Sequence, residues 1–98
     1  MPEWVYVIRA ARKGFAERPT DEEMAAMGDH FAYLKGLLDD GTLVMAGPAL
    51  DASFGIAVFE AEDETTARSI MNHDPSVARG VMNASLHPYR TSLLRGRD

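Results

Sequence analysis

Residues 4–8 read Trp-Val-Tyr-Val-Ile, an unbroken run of aromatic and β-branched side chains. Such residues favour extended backbone, and successive side chains of a strand point to opposite faces of its sheet. A strand with one wet face alternates apolar with polar residues. Here Trp4, Tyr6 and Ile8 make one face apolar and Val5 and Val7 make the other apolar too. The strand therefore belongs in the middle of a sheet with cover on both sides. Little chain is available to provide it. Ninety-eight residues make one domain,, and a domain of this size buries only about 60–65% of the surface its unfolded chain exposes. The chain has no cysteine, which removes disulfides and thiolate metal sites as supports,. Oligomerisation is the device carried forward.

A polar stretch runs from Arg9 to Pro19. Thr20 then precedes Asp21-Glu22-Glu23, and Thr20 with Glu23 spells a capping box,. Met24, Met27, Phe31, Leu34 and Leu38 follow at 3-4-3-4 spacing, the stripe of an amphipathic helix that ends at Gly41,. Asp39 and Asp40 sit at the end of that helix where the dipole disfavours them, and the sequence gives no reason for it. Leu43 to Leu50 reads as a second strand interrupted at Gly47-Pro48, Asp51 to Gly55 as a turn, and Ile56 to Phe59 as a third strand closing a hairpin,. Glu62 or Asp63 opens a second helix with Ala67, Ile70 and Met71 inward. Pro75 ends it, and Pro75 to Gly80 is a loop or a short helical turn. Residues 82–93 form a last strand containing Pro88, and a tail over 94–98 is expected to fray. The order β-α-β-β-α-β over residues 1–98 is that of a single ferredoxin-like α+β domain with an antiparallel sheet. Its second and fourth strands lie at the sheet edges. Pro48 and Pro88 fall in those two strands, where proline is tolerated.

Two helices cover one sheet face. The other face, with Val5, Val7 and the apolar third strand, is expected to be closed by a second copy, sheet on sheet, as a homodimeric α+β barrel. The net charge of −5 and the scatter of the ten basic residues, apart from Arg9-Arg12-Lys13 and Arg95-Arg97, argue against nucleic acid,. No apolar run approaches the roughly 20 residues of a membrane span. The start of the chain carries no basic region and no hydrophobic signal core, so a cytoplasmic location is expected.

No nucleophile motif, phosphate loop or zinc-helix pattern occurs. The chemistry left is in three histidines and a few carboxylates. His30 lies about 80° from the centre of the Met24–Leu38 stripe at about 100° per residue. It is thus placed at the border of the buried face, where an imidazole can act as general acid or base. A boundary histidine bonded to a neighbour fits the same position. Asp74 follows the second helix and precedes Pro75. A carboxylate there can orient an imidazole or simply end a helix. Both helices pack on one sheet face, so His30 and Asp74 can meet. His73 reads as a surface residue at a helix end and His87 as structural. The histidines have no metal-ligand spacing, so neither metal nor cofactor is expected, and the methionines read as packing.

Taken together, Tyr6-Val7-Ile8, His30 with Tyr33-Leu34, Asp40-Gly41-Thr42-Leu43, Ala46-Gly47-Pro48, Asp74-Pro75 with Val77, Ala78, Gly80 and Val81, and His87-Pro88-Tyr89 resemble the YciI-like (YCII-related) family. The likeness runs from about residue 4 to 92. It implies a ferredoxin-like fold, a dimeric α+β barrel similar to muconolactone isomerase, and a His–Asp pair in a cleft, mapping onto His30 and Asp74. A relative in that family removes HCl from a chlorinated hydroxyquinol, so the implied chemistry is proton abstraction followed by elimination. The connection Ala49 to Gly55 is short for the family, which leaves the polar stretch Arg9 to Pro19 as a second candidate for lining the cleft. The expectation is a cofactor-free lyase or isomerase acting on a small aromatic or anionic molecule. Phe31, Met45 and Phe54 would be its apolar walls and Arg9 its anion contact. The alternative is a non-catalytic binding or accessory dimer. Direct contact between His30 and Asp74 in a concave pocket would favour the enzyme.

Overall fold

The computed structural model describes residues 1–96. Along them run β1 (Glu3–Ala10), α1 (Asp21–Asp39), β2 (Leu43–Pro48), β3 (Gly55–Glu60), α2 (Glu64–His73), α3 (Pro75–Ala78) and β4 (Met82–Tyr89). The strands pair antiparallel in the order β2-β3-β1-β4, the ferredoxin-like arrangement. Pro48 and Pro88 lie on the two edges, where no ladder bond is lost to their missing N–H.

The core forms between one sheet face and the helices. Trp4, Tyr6 and Ile8 of β1 join Leu43, Ala57, Phe59 and Met82 against Leu34, Ala67 and Met71. Tyr6 and Phe59 meet edge to face with ring centroids 5.7 Å apart. The Trp4 indole N–H donates to the Ala61 carbonyl at 3.0 Å, so the largest ring is buried without an orphan donor,. Gly55 sits where a Cβ would come to 3.3 Å from Ile8 Cγ1, so a larger residue there would make the Ile8 side chain shift where β3 crosses β1,.

The helix ends follow the capping chemistry. The Glu23 N–H donates to Thr20 Oγ1 at 3.1 Å and the Thr20 N–H to Glu23 Oε1 at 2.8 Å, both halves of the capping box. Arg12 grips the same carboxylate through Nε at 3.0 Å and a terminal N–H at 2.7 Å. Arg12 first, and then the Thr20 N–H, hold the Glu23 carboxyl down at about 2. Misplaced Asp40 now has a use: its Oδ1 accepts from the Thr42 N–H at 2.9 Å, turning the chain into β2 after Gly41 at φ +86°. Asp39 lies 3.8 Å from Lys35. Asp63 caps α2 by accepting from the Thr66 N–H at 2.8 Å. Pro75 both ends α2 and opens the single turn α3, with Asp74 as the joint.

Four details differ from the sequence reading. β2 stops at Pro48, where the chain turns into the hairpin loop, rather than at Leu50. β4 stops at Tyr89 rather than residue 93, because its partner β1 begins at Glu3, opposite Tyr89. After it Leu94 makes a bridge and Arg95-Gly96 a turn; the rest of the expected frayed tail, residues 97 and 98, lies outside the described residues. The inward face of α1 is also rotated from the stripe. Ala26, Met27, His30, Tyr33, Leu34 and Leu37 are buried or half-buried, while Met24, Phe31 and Leu38 are more than half exposed. Finally, the helix-free sheet face is less open than expected. Val5 and Val58 are buried within the chain, flanked on the same face by His87 and Met45, while Val7 and Ile56 are half-buried. Among the described residues no helix is long and apolar enough to cross a membrane.

Candidate active site

The α1 face that turns inward carries one residue that is not a hydrocarbon filler at its centre. His30 lies one turn beyond fully buried Ala26 and one turn before Leu34. It reaches Asp74, which the α2–α3 joint holds directly opposite. His30 Nδ1 is 2.7 Å from Asp74 Oδ2 and 2.8 Å from Oδ1, with the imidazole 14% exposed and the carboxylate fully buried.

A buried carboxylate is costly unless its oxygens are occupied, and these are. The Tyr6 hydroxyl donates to Oδ2 at 2.6 Å. The Ser76 N–H and hydroxyl donate to Oδ1 at 2.9 and 2.8 Å. Burial alone would raise the Asp74 carboxyl. The bonds from His30 and Tyr6, the His30 charge and the Ser76 bond outweigh it, and hold the group below its ordinary 3.8,. An ionised carboxylate only accepts, so His30 Nδ1 is the donor of this pair. The Tyr6 phenol is pushed far up by burial, then by its bond to Asp74 and by that carboxylate's charge, so it stays a donor. Tyr33 donates to the Ile70 carbonyl at 2.6 Å, tying α1 to α2, and burial pushes it to about 12.

His30 also borders a cavity of about 830 Å³ between α1, the core face of the sheet and the β2–β3 turn. Tyr6, Leu34 and Ala57 are its buried floor, and Phe31, Leu38 and Phe54 its exposed lip. Arg9, Phe31, Met45 and Phe54 all border this space, so the sequence-selected residues converge on one cavity. Asp74 stands behind His30 and is not on the wall. From the stretch Arg9 to Pro19, Phe15 reaches the cavity beside Arg9 and Ala10. His73 and His87 are elsewhere, bonded to Ser69 and Ser85.

Sequence reasoning missed Tyr6 and Ser76. Both left a signal. A tyrosine in mid-strand on the core face needs a partner for its hydroxyl. Asp-Pro-Ser is an N-cap pattern, in which the aspartate accepts from the N–H two residues on.

Fold and site together define a ferredoxin-like α+β domain with a half-buried histidine on the wall of an apolar cavity and a buried carboxylate behind it. Residues 4–86 match the YCII-related domain, and the chain belongs to that family. Its fold is similar to that of 5-chloro-2-hydroxyhydroquinone dehydrochlorinase from Burkholderia phenoliruptrix, solved in complex with 2,5-dihydroxybenzoquinone. The TM-score is 0.67 at 20% identity, over 89% of this chain and 93% of the other. No curated protein matches the sequence significantly.

Proposed function

We propose that this chain is a cofactor-free enzyme of the lyase or isomerase type, with His30 as its general acid or base and Asp74 as the group that orients it. The observation that carries the reading is the direction of the histidine. Nδ1 is committed to a buried, ionised carboxylate and Nε2 is left for a molecule in the cavity. The direct contact, in a concave space, is the feature that favours an enzyme over a binding module. Asp74 fixes the tautomer and offsets the charge that develops on the ring when Nε2 takes a proton.

The substrate on this reading is a small molecule with an apolar body and an acidic C–H facing Nε2. Abstraction of that proton leaves an electron pair on carbon. The pair either expels a leaving group from the neighbouring carbon, as a lyase, or is reprotonated one position on, as an isomerase. The dehydrochlorinase of the same fold supports the first outcome and makes chlorinated hydroxyquinols the first compounds to screen. The apolar wall keeps competing water away from the base. Catalysis by two copies associated through the helix-free sheet face is part of this proposal.

The test reads chloride release, and substrate C–H exchange in D₂O, across such compounds. A positioned acid–base group contributes about 10²–10⁴-fold in rate. His30→Ala is expected to lose a factor of that size, and Asp74→Asn most of it. A rate unchanged by His30→Ala ends the assignment.

A further inference from the structure

We propose that the cavity beside His30 takes an amphipathic organic anion, a molecule with a drug-sized apolar body and one acid group held at the lip by Lys35 and Arg9. The inference rests on the reading above that this cavity is the substrate site, and it names the class of ligand.

Size comes first. A volume of about 830 Å³ falls in the range of about 300–1,000 Å³ typical of sites for drug-sized ligands,. Charge is the second observation. The chain has 15 Asp and Glu against 10 Lys and Arg. Yet among the described residues no Asp or Glu borders the cavity, whereas Arg9 and Lys35 both do. The carboxylate beside His30, Asp74, has its oxygens taken by Tyr6, His30 and Ser76. An acidic protein thus presents a locally cationic opening.

Those cations are also available. Arg9 makes no ion pair with another described residue. Lys35 is 3.8 Å from Asp39, with both side chains largely exposed, and such a pair contributes little. Lys35 lies one turn after Phe31 and just under one turn before Leu38, so it borders the cavity among the residues of the apolar lip,. A neutral sugar-like molecule would find few hydrogen-bond partners on these walls, and a cation would meet two like charges. An anion with an apolar body satisfies both the walls and the lip, and its body then extends inward to His30.

Two fluorescent probes of matching shape test this: anilinonaphthalene sulfonate and its uncharged twin N-phenylnaphthylamine. The sulfonate is expected to bind wild-type protein about tenfold more tightly, as two partly exposed cations warrant. The double variant Arg9→Gln/Lys35→Gln brings that ratio close to one and leaves the neutral probe unchanged. Phe31→Ser weakens both probes, because it removes the lip they share. Equal binding by wild-type protein, a ratio that survives the double variant, or indifference to Phe31→Ser would each overturn the proposal. The two readings fail separately. Lost anion preference with turnover still dependent on His30 removes the ligand class alone. Preserved preference with turnover indifferent to His30→Ala removes the acid–base reading alone.

Discussion

At the scale of single residues, Asp74 is the group on which the most depends. It caps α3, receives Tyr6 from the central strand and Ser76 from its own turn, and holds His30. Because it is held below its ordinary 3.8 in the fold, its stabilising effect is complete above that pH and is lost as pH falls through the lower folded value,. Tyr6→Phe removes one donor to a buried carboxylate and is expected to cost about 1–3 kcal/mol near neutrality. It also lets Asp74 titrate closer to its ordinary value, so the acid limb of the stability curve moves up in pH. Urea unfolding measured across pH 2–7 (roughly the span of carboxylate titration) checks both. A stability loss with an unmoved acid limb would mean that Tyr6 matters through packing alone. The local sequence marks Tyr6 as a buried hydroxyl in need of a partner but does not name Asp74 as that partner. The role depends on a contact between residues 68 apart in the chain, and such pairings are set by topology, not by spacing.

At the scale of elements, the strands and caps were legible because their signals are local. The Thr20–Glu23 box, the Asp63 cap and the edge prolines each rest on a few neighbouring residues. The inward face of α1 was not. Summing hydrophobicity gives the row Met24–Phe31–Leu38 the greatest weight, because those side chains are large. The sheet instead receives Ala26, His30, Tyr33 and Leu34. A helix over a solid core turns its bulkiest residues inward. A helix over an open cavity turns small and polar ones toward the sheet and leaves the bulky ones on the lip. His30, expected at the border of the buried face, is therefore at its middle. The two rows separate by mutation. Leu34→Ala is expected to destabilise by about 2–4 kcal/mol, and Phe31→Ala, at an exposed site, by only about 0.5 kcal/mol. Thr20→Ala should cost about 1 kcal/mol, since it leaves a first-turn N–H unsatisfied. Denaturant titration of the three variants decides whether the rotated face is the true one. Equal losses at positions 31 and 34 would restore the original stripe.

At the scale of the whole molecule, the sheet separates two surfaces with different tasks. One face builds the core and the floor of the cavity. The other carries cross-strand rows that run apolar in the middle and small or polar at the edges: Gly47-Ile56-Val7-Ser85, and beside it Met45-Val58-Val5-His87. Val5 and Val58 are already buried, so the surface offered to a second copy centres on Val7 and Ile56. Small residues at the edges of that row let another sheet approach it at the roughly 10 Å of face-to-face packing. Wild-type protein is therefore expected to sediment as a dimer at micromolar concentration. Val7→Lys, which places a charge at the centre of the row, is expected to give a folded monomer. A monomeric wild type removes the homodimer from the proposal. The variant also separates assembly from chemistry. His30, Asp74 and Tyr6 come from one chain and lie on the opposite side of β1 from the row; Met45, Gly47 and Ile56 of the two rows also border the cavity, but Val7 does not. Monomeric Val7→Lys should hence bind the anionic probe with unchanged affinity. If affinity falls with assembly, the second copy supplies part of the cavity, and the site is a property of the pair rather than of the chain.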